Sequence, residues 1–271
     1  MTVASELSCF TSTDGDLAYL DTGSGDLVVL LHSGYVDHRF WNDQIPALAA
    51  EFRVIVPDVR GHGSSANATK PFRWADDLAE LLRHLDAGPA ALVGLSMGGV
   101  IATDTVLEYP ELVRAVVTCG AATGDFRYTD PWTRELQAEY ARTLGAGDID
   151  GWAEVFLRGV VGEQRSIDDI DPDIPRRMRE MALNSISKHT PGEKDWHVRV
   201  TDSWSRVPEI DVPLLAVNGS LEPAEMFDAA ERLARTAPKG RSEIVEGPGH
   251  YPNLEQPEVF NKILLEFLRT L

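Results

Sequence analysis

The sequence predicts an α/β protein built on a doubly wound, mostly parallel sheet that a helical insertion interrupts. Three observations predict it. Apolar runs such as residues 27–32 and 112–119 show no polar alternation, as strands buried on both faces do. These runs alternate with helical spacing up to residue 119, and the alternation resumes at residue 212. Between them, residues 124–207 carry helical patterns and no convincing buried strand. The expected division is a core of residues 1–123 and 208–271 and a helical unit of residues 124–207. A length of 271 residues suits one large α/β domain.

Taken in order, residues 7–10 and 17–21 read as short strands around the turn Thr13-Asp14-Gly15-Asp16. A second turn, Thr22-Gly23-Ser24-Gly25, precedes the buried strand 27–32, which runs into His32-Ser33-Gly34-Tyr35. A helix is expected over 40–50 and a strand over 52–57. A loop follows at Asp58-Val59-Arg60-Gly61-His62-Gly63-Ser64-Ser65, then a helix over 74–85. Strand 90–95, helix 98–109 and strand 112–119 come next. The helical stretch has patterns near 132–144, 151–161, 175–187 and 196–204, and it holds Trp132, Trp152, Trp196 and Trp204. Breaks such as Gly145-Ala146-Gly147-Asp148 and Thr190-Pro191-Gly192 separate these patterns. Strand 212–218, helix 224–237, strand 242–245 and a last helix over 257–271 complete the order.

A hydrophobic content of 43% is ample for a sizeable core. With 25 basic and 43 acidic residues the formal net charge is −18, which argues against nucleic acid and anionic membrane surfaces as partners. The stretch MTVASELSCF has neither a basic n-region nor an apolar h-region, and no apolar run is long enough to cross a bilayer. The cytoplasm is therefore the expected location. Cys9 and Cys119 fit no metal-ligand spacing, and no disulfide is expected.

The stretch Ala91-Leu92-Val93-Gly94-Leu95-Ser96-Met97-Gly98-Gly99-Val100 reads as strand, sharp turn and helix, with Ser96 at the tip in the form G-x-S-x-G. Glycines suit this turn because bulkier neighbours would collide with the adjoining strand or helix. A hydroxyl is a poor nucleophile until a base takes its proton. His250, in Gly247-Pro248-Gly249-His250, follows the last strand, and loops at the C-terminal ends of parallel strands converge on one side of the sheet. An imidazole base needs a carboxylate to fix its tautomer. Glu222 is the first acid in the loop after strand 212–218; Glu225, in the first turn of the next helix, and Asp125, after strand 112–119, are its rivals. Backbone N–H groups of Met97 and Gly34 are the expected oxyanion donors. Tyr35 and Trp132 are expected to line the substrate pocket. His32 and His62 are read as loop braces, and His38, His84, His189 and His197 as ordinary surface or half-buried residues. None has the close pairing of a helical zinc motif, so neither metal nor cofactor is expected.

With His32-Ser33-Gly34, Arg60-Gly61-His62-Gly63-Ser64-Ser65, Gly94-Leu95-Ser96-Met97-Gly98-Gly99 and Gly249-His250 in this order, the chain resembles the α/β-hydrolase superfamily. The resemblance covers nearly the whole chain outside residues 124–207. It implies an α/β-hydrolase fold whose inserted helical cap, or lid, would be that stretch. The segment His250-Tyr251-Pro252-Asn253-Leu254-Glu255-Gln256-Pro257-Glu258 and the stretch Asp37-His38-Arg39-Phe40-Trp41 are similar to 3-oxoadipate enol-lactonase-like members and other small bacterial esterases. Two positions depart from the pattern. The superfamily usually has His-Gly where this chain has His32-Ser33, and usually aspartate where it has Glu222, although Ser-His-Glu triads do occur.

The expected activity is cofactor-independent hydrolysis of a small carboxylic ester or lactone through an acyl-enzyme on Ser96, with His250 as base and Glu222 as its orienting acid. Hydrolysis of a C–C bond or acyl transfer on the same triad is the first alternative. A ligand-binding member of the fold without turnover is the second. A small molecule is the expected partner, and the residues leave the oligomeric state open.

Overall fold

The computed structural model describes residues 6–125, 127–190 and 192–271. Residues 1–5 of the stretch read for a leader, and Pro191 in the expected break at 190–192, lie outside the described residues.

Eight strands form one sheet in the order β1-β2-β4-β3-β5-β6-β7-β8, with β1 Ser8–Ser12, β2 Gly15–Gly23, β3 Leu27–Leu31, β4 Arg53–Pro57, β5 Ala90–Leu95, β6 Val113–Cys119, β7 Leu214–Gly219 and β8 Gly240–Val245. β2 runs antiparallel to β1 and β4, and every other pairing is parallel. β3, β5, β6 and β7 are the central strands, and each is buried along its whole length apart from Arg114. This burial explains their unbroken apolar composition, since alternation appears only where one face meets water. Alternate residues serve opposite faces. Val28, Leu30, Val93, Val117 and Leu215 join the core that also holds Phe40, Trp41, Phe260 and Phe267. Val29, Leu31, Leu92, Val116 and Ala216 join the core that holds Leu78, Leu82, Ile101 and Leu233.

The helices are α1 Ile45–Ala49, α2 Trp74–Leu85, α3 Met97–Glu108, α4 Pro131–Gly145, α5 Ile149–Val161, α6 Asp173–Ile186, α7 Ser203–Arg206, α8 Ala224–Thr236, α9 Pro252–Glu255 and α10 Pro257–Leu268. Between β6 and β7 the described residues carry helices α4–α7 and no strand of the sheet. α5 packs between α4 and α6, and Trp152, Phe156, Met178 and Met181 carry their apolar faces into the core. None of the described helices is long and apolar enough to cross a membrane.

Two expected helices are corrected. The one over 40–50 is a single 3₁₀ turn, His38–Trp41, followed by the short α1; Asp37 caps the turn by accepting from Arg39 N–H. The one over 196–204 is reduced to α7. Residues before it are extended, because Phe72 N–H donates to the Trp196 carbonyl (3.1 Å) and Val198 N–H to the Phe72 carbonyl (2.8 Å). That pairing with a segment far away in sequence overrides the local helical spacing of the aromatic residues.

The helix after β5 lies so close to the sheet that Gly98 has no room for a side chain: an added Cβ would run into the carbonyl of Leu31 in β3. Backbone on both sides leaves no flexible side chain to yield. Gly98→Ala is therefore expected to lower stability by ~3 kcal/mol in urea denaturation, at the upper end of overpacking costs. Gly145→Ala is the control, since nothing lies within 4 Å of its added methyl. It should leave the midpoint unchanged or slightly raised.

Candidate active site

The turn between β5 and α3 holds Ser96 at φ 53° and ψ −116°, a conformation that L-residues rarely adopt. The surroundings enforce it. Ser96 N–H donates to the Cys119 carbonyl at the end of β6 (2.8 Å), and the Ser96 carbonyl accepts from Val100 N–H (3.1 Å) to open α3. Gly94 has no Cβ to strike the Gly98 carbonyl, and a Cβ on Gly99 would come within 2.6 Å of that of Ala121. The expected strand–turn–helix thus places the hydroxyl at the C-terminal edge of the sheet.

His250 comes from the loop after β8, and Glu222 from the loop after β7. His250 Nδ1 lies 2.7 Å from Glu222 Oε1, and Glu222 is 4% exposed. The two loops are stitched together. Ser220 N–H donates to the Val245 carbonyl (2.9 Å), Leu221 N–H to the Pro248 carbonyl (2.9 Å), and Gly247 N–H to Ser220 Oγ (2.9 Å). Gly219 permits the approach, because a Cβ there would run into the carbonyls of Pro248 and Gly249. Glu255 accepts from Gly249 N–H (3.1 Å) and pairs with Arg165, which follows α5. The rival acids are engaged elsewhere. Asp125 accepts from Ser203 N–H and Oγ–H (2.7 and 2.8 Å), and Glu225 accepts from the N–H groups of Thr129 and Asp130 (2.8 and 2.9 Å).

Ser96 and His250 line one cavity of about 1020 Å³, and Gly34, Met97, Tyr35 and Trp132 line it too. An added methyl at Gly34 would have nothing within 4 Å, so its backbone borders open space. Tyr35, at φ 65°, packs edge-on against Trp152 with centroids 5.0 Å apart. Leu136, Leu144, Phe156 and Ile186 make an apolar wall from α4, α5 and α6, while Asp104, His197 and Trp196 bring polar groups elsewhere. His32 is fully buried and accepts from Val59 N–H (3.1 Å), so it braces the loop after β4 against the loop after β3. Burial pushes His32 below the ordinary imidazole range, and burial together with His32 lowers His62 to about 3. Among the described residues, Asp37, His38 and Asp58 bring ligand-type atoms within 4.8 Å of one another. Those atoms already serve the loop: Asp37 binds Arg39 (2.8 Å), and Asp58 accepts from His38 N–H (2.7 Å) and Ser64 N–H (2.7 Å).

The sequence pattern of the alpha/beta hydrolase family matches residues 28–263, from β3 into α10. The chain belongs to the alpha/beta hydrolase family. Among solved structures, a thermophilic esterase from Thermogutta terrifontis superposes with a TM-score of 0.79 at 29% identity, covering 98% of each chain. A 2-hydroxy-6-oxononadienedioate/2-hydroxy-6-oxononatrienedioate hydrolase of Burkholderia vietnamiensis is 30% identical over 93% of this chain and 90% of its own. A 3-oxoadipate enol-lactonase of Acinetobacter baylyi is 24% identical over 93% and 92%.

Three residues of this alpha/beta hydrolase gain a place at the site that the sequence reading did not assign. Gly120 (φ +55°) follows β6, and a Cβ there would come within 2.6 Å of His250 Nδ1. Only glycine leaves the imidazole its position. Tyr251 stacks edge-on against His250 (4.8 Å), and its hydroxyl lies 3.5 Å from Ser33 Oγ; burial pushes that phenol up to about 12. Ser33 thus faces a tyrosine hydroxyl. The third is Asp104 on α3, for which a lone acid in the apolar run after Gly99 is the only signal in the sequence.

Removing the carboxylate while keeping its shape tests the partner of His250. Glu222→Gln is expected to lower kcat on an activated ester by up to ~10⁴-fold, the loss that the matching amide causes in a serine protease. Asp125→Asn and Glu225→Gln should each stay within ~10-fold of the parent, the scale of a positional disturbance.

Proposed function

We propose that this chain is a serine hydrolase that cleaves a small carboxylic ester or lactone through an acyl-enzyme. The observation that carries the reading is the joint placement of Ser96 and His250. One cavity is lined both by a serine held at φ 53° and by an imidazole whose Nδ1 lies 2.7 Å from a buried carboxylate. With Nδ1–H donating to Glu222, Nε2 is left free to take a proton from Ser96. Ser96 Oγ attacks the substrate carbonyl, and the N–H groups of Met97 and Gly34 stabilise the oxyanion. His250 hands the proton to the leaving alkoxide, or to the ring oxygen of a lactone. Water then attacks the acyl-enzyme with His250 as base, and Ser96 regains its proton. In this reading α4–α6 cap the site, and Tyr35 and Trp132 contact the bound substrate.

The relatives support the ester and lactone classes by their names, an esterase and an enol-lactonase. The similarity to the Burkholderia hydrolase favours a second reading, hydrolysis of a C–C bond on the same side chains. A panel of short p-nitrophenyl esters, γ- and δ-lactones and β-diketones separates the two. Turnover of an ester or lactone is expected, with Ser96→Ala lowering kcat by on the order of 10⁶-fold. Cleavage of a β-diketone without any ester or lactone turnover would move the assignment to C–C hydrolysis. No turnover of any of them would leave a binding protein.

A further inference from the structure

Ser96, Val100 and Asp104 all line the cavity, and their spacing of four and eight residues places them on one stripe of α3. Asp104 thus stands about 12 Å along the helix axis from Ser96, at 1.5 Å per residue. It is 7% exposed, and its Oδ1 is sealed from solvent with no partner. Among the described residues none donates a hydrogen bond to either of its oxygens. An unpartnered buried carboxylate oxygen is costly and calls for an explanation.

Its neighbours are all spoken for. Asp125, from the loop after β6, accepts from Ser203, and Glu108, one turn further along α3, accepts from Arg206 (2.6 Å) and Arg73. Arg73, ahead of α2, is also held by Asp76 (2.7 Å). Both nearby guanidinium groups, Arg73 and Arg206, therefore bond to Glu108, and neither bonds to Asp104 or Asp125. Burial, with Asp125 and Glu108 adding to it, raises the Asp104 carboxyl to about 7, while Arg73 and Arg206 pull the other way. Phe72, Trp74 and Trp196 line the same cavity, and Trp196 already carries the Lys194 ammonium 3.5 Å from its ring centre. Arg199 also lines it but is exposed. An anion at Asp104 would meet three carboxylates; an ammonium would complete the unpaired one.

We propose that Asp104 anchors a protonated amine, so that the preferred substrates are esters or lactones with an ammonium group on the order of 10 Å from the scissile carbonyl, the scale set by about two turns of helix between Ser96 and Asp104. This substrate class rests on the serine-hydrolase reading, whereas the ammonium site itself does not. The net charge of −18 favours the same ligands by drawing cations towards the protein.

The test reads binding in the Ser96→Ala protein, so it is independent of turnover. Octylammonium, octanol and octanoate are titrated calorimetrically at about pH 8.5, where the carboxyl is ionised and an alkylamine still protonated. Octylammonium is expected to bind about tenfold more tightly than octanol, the scale of one charge-assisted hydrogen bond. Octanoate should bind more weakly than either. In Ser96→Ala/Asp104→Asn the ammonium preference should fall below about twofold. Lowering the pH to about 5.5 protonates the carboxyl and should shrink the preference without any substitution, which keeps the test decisive if the double variant does not fold. Equal binding of the three ligands, tighter binding of octanoate, or an ammonium preference that survives both Asp104→Asn and about pH 5.5 would overturn the proposal.

Discussion

The close approach of backbone around Ser96 is the constraint on which the rest of the site depends. A non-glycine residue in this part of φ/ψ space costs of order 1–3 kcal/mol and persists only where its surroundings over-determine it. Here the surroundings are the register of the central strands. β5 pairs with β3 on one side and β6 on the other, and Ser96 N–H is tied to the last residue of β6. Gly94, Gly98 and Gly99 remove the side chains that would otherwise separate helix from sheet. The same geometry carries Gly34, in the loop after β3, to the cavity that Ser96 lines.

A second constraint sets the imidazole. His250 and Glu222 lie on adjacent loops after paired strands, and the loops exchange backbone hydrogen bonds before their side chains meet. The carboxylate is buried with Oε2 unpartnered, so among the described residues its one hydrogen-bond partner is His250. The Arg165–Glu255 pair links the helical segment to the backbone at Gly249.

Much of this was legible in the sequence because the forces involved are local or periodic. Strands buried on both faces read as unbroken apolar runs, and the Ser96 turn declares itself through glycines at fixed offsets. Glu222 could be singled out because a parallel sheet sends the loop after each strand to the same edge. What the sequence hid depends on contacts between distant segments. The aromatic residues near Trp196 repeat at helical spacing, but backbone pairing with Phe72 holds them extended. Gly120 looks like any residue that ends a strand until His250 is placed against it. Asp104 reads as an isolated acid on an apolar helix; only the folded chain reveals that Arg73 and Arg206 pass it by for Glu108. Which of Glu222, Glu225 and Asp125 lies against His250 likewise shows only in the folded chain.

In the proposed function, the strained turn presents a serine made nucleophilic by His250. A fluorophosphonate reports this directly, because it phosphonylates an activated serine hydroxyl and expels fluoride. Intact mass and peptide mapping after stoichiometric treatment should place one adduct on Ser96. The labelling rate should collapse in His250→Ala, although Ser96 and its turn remain. No adduct, an adduct on another residue, or labelling indifferent to His250 would contradict the account.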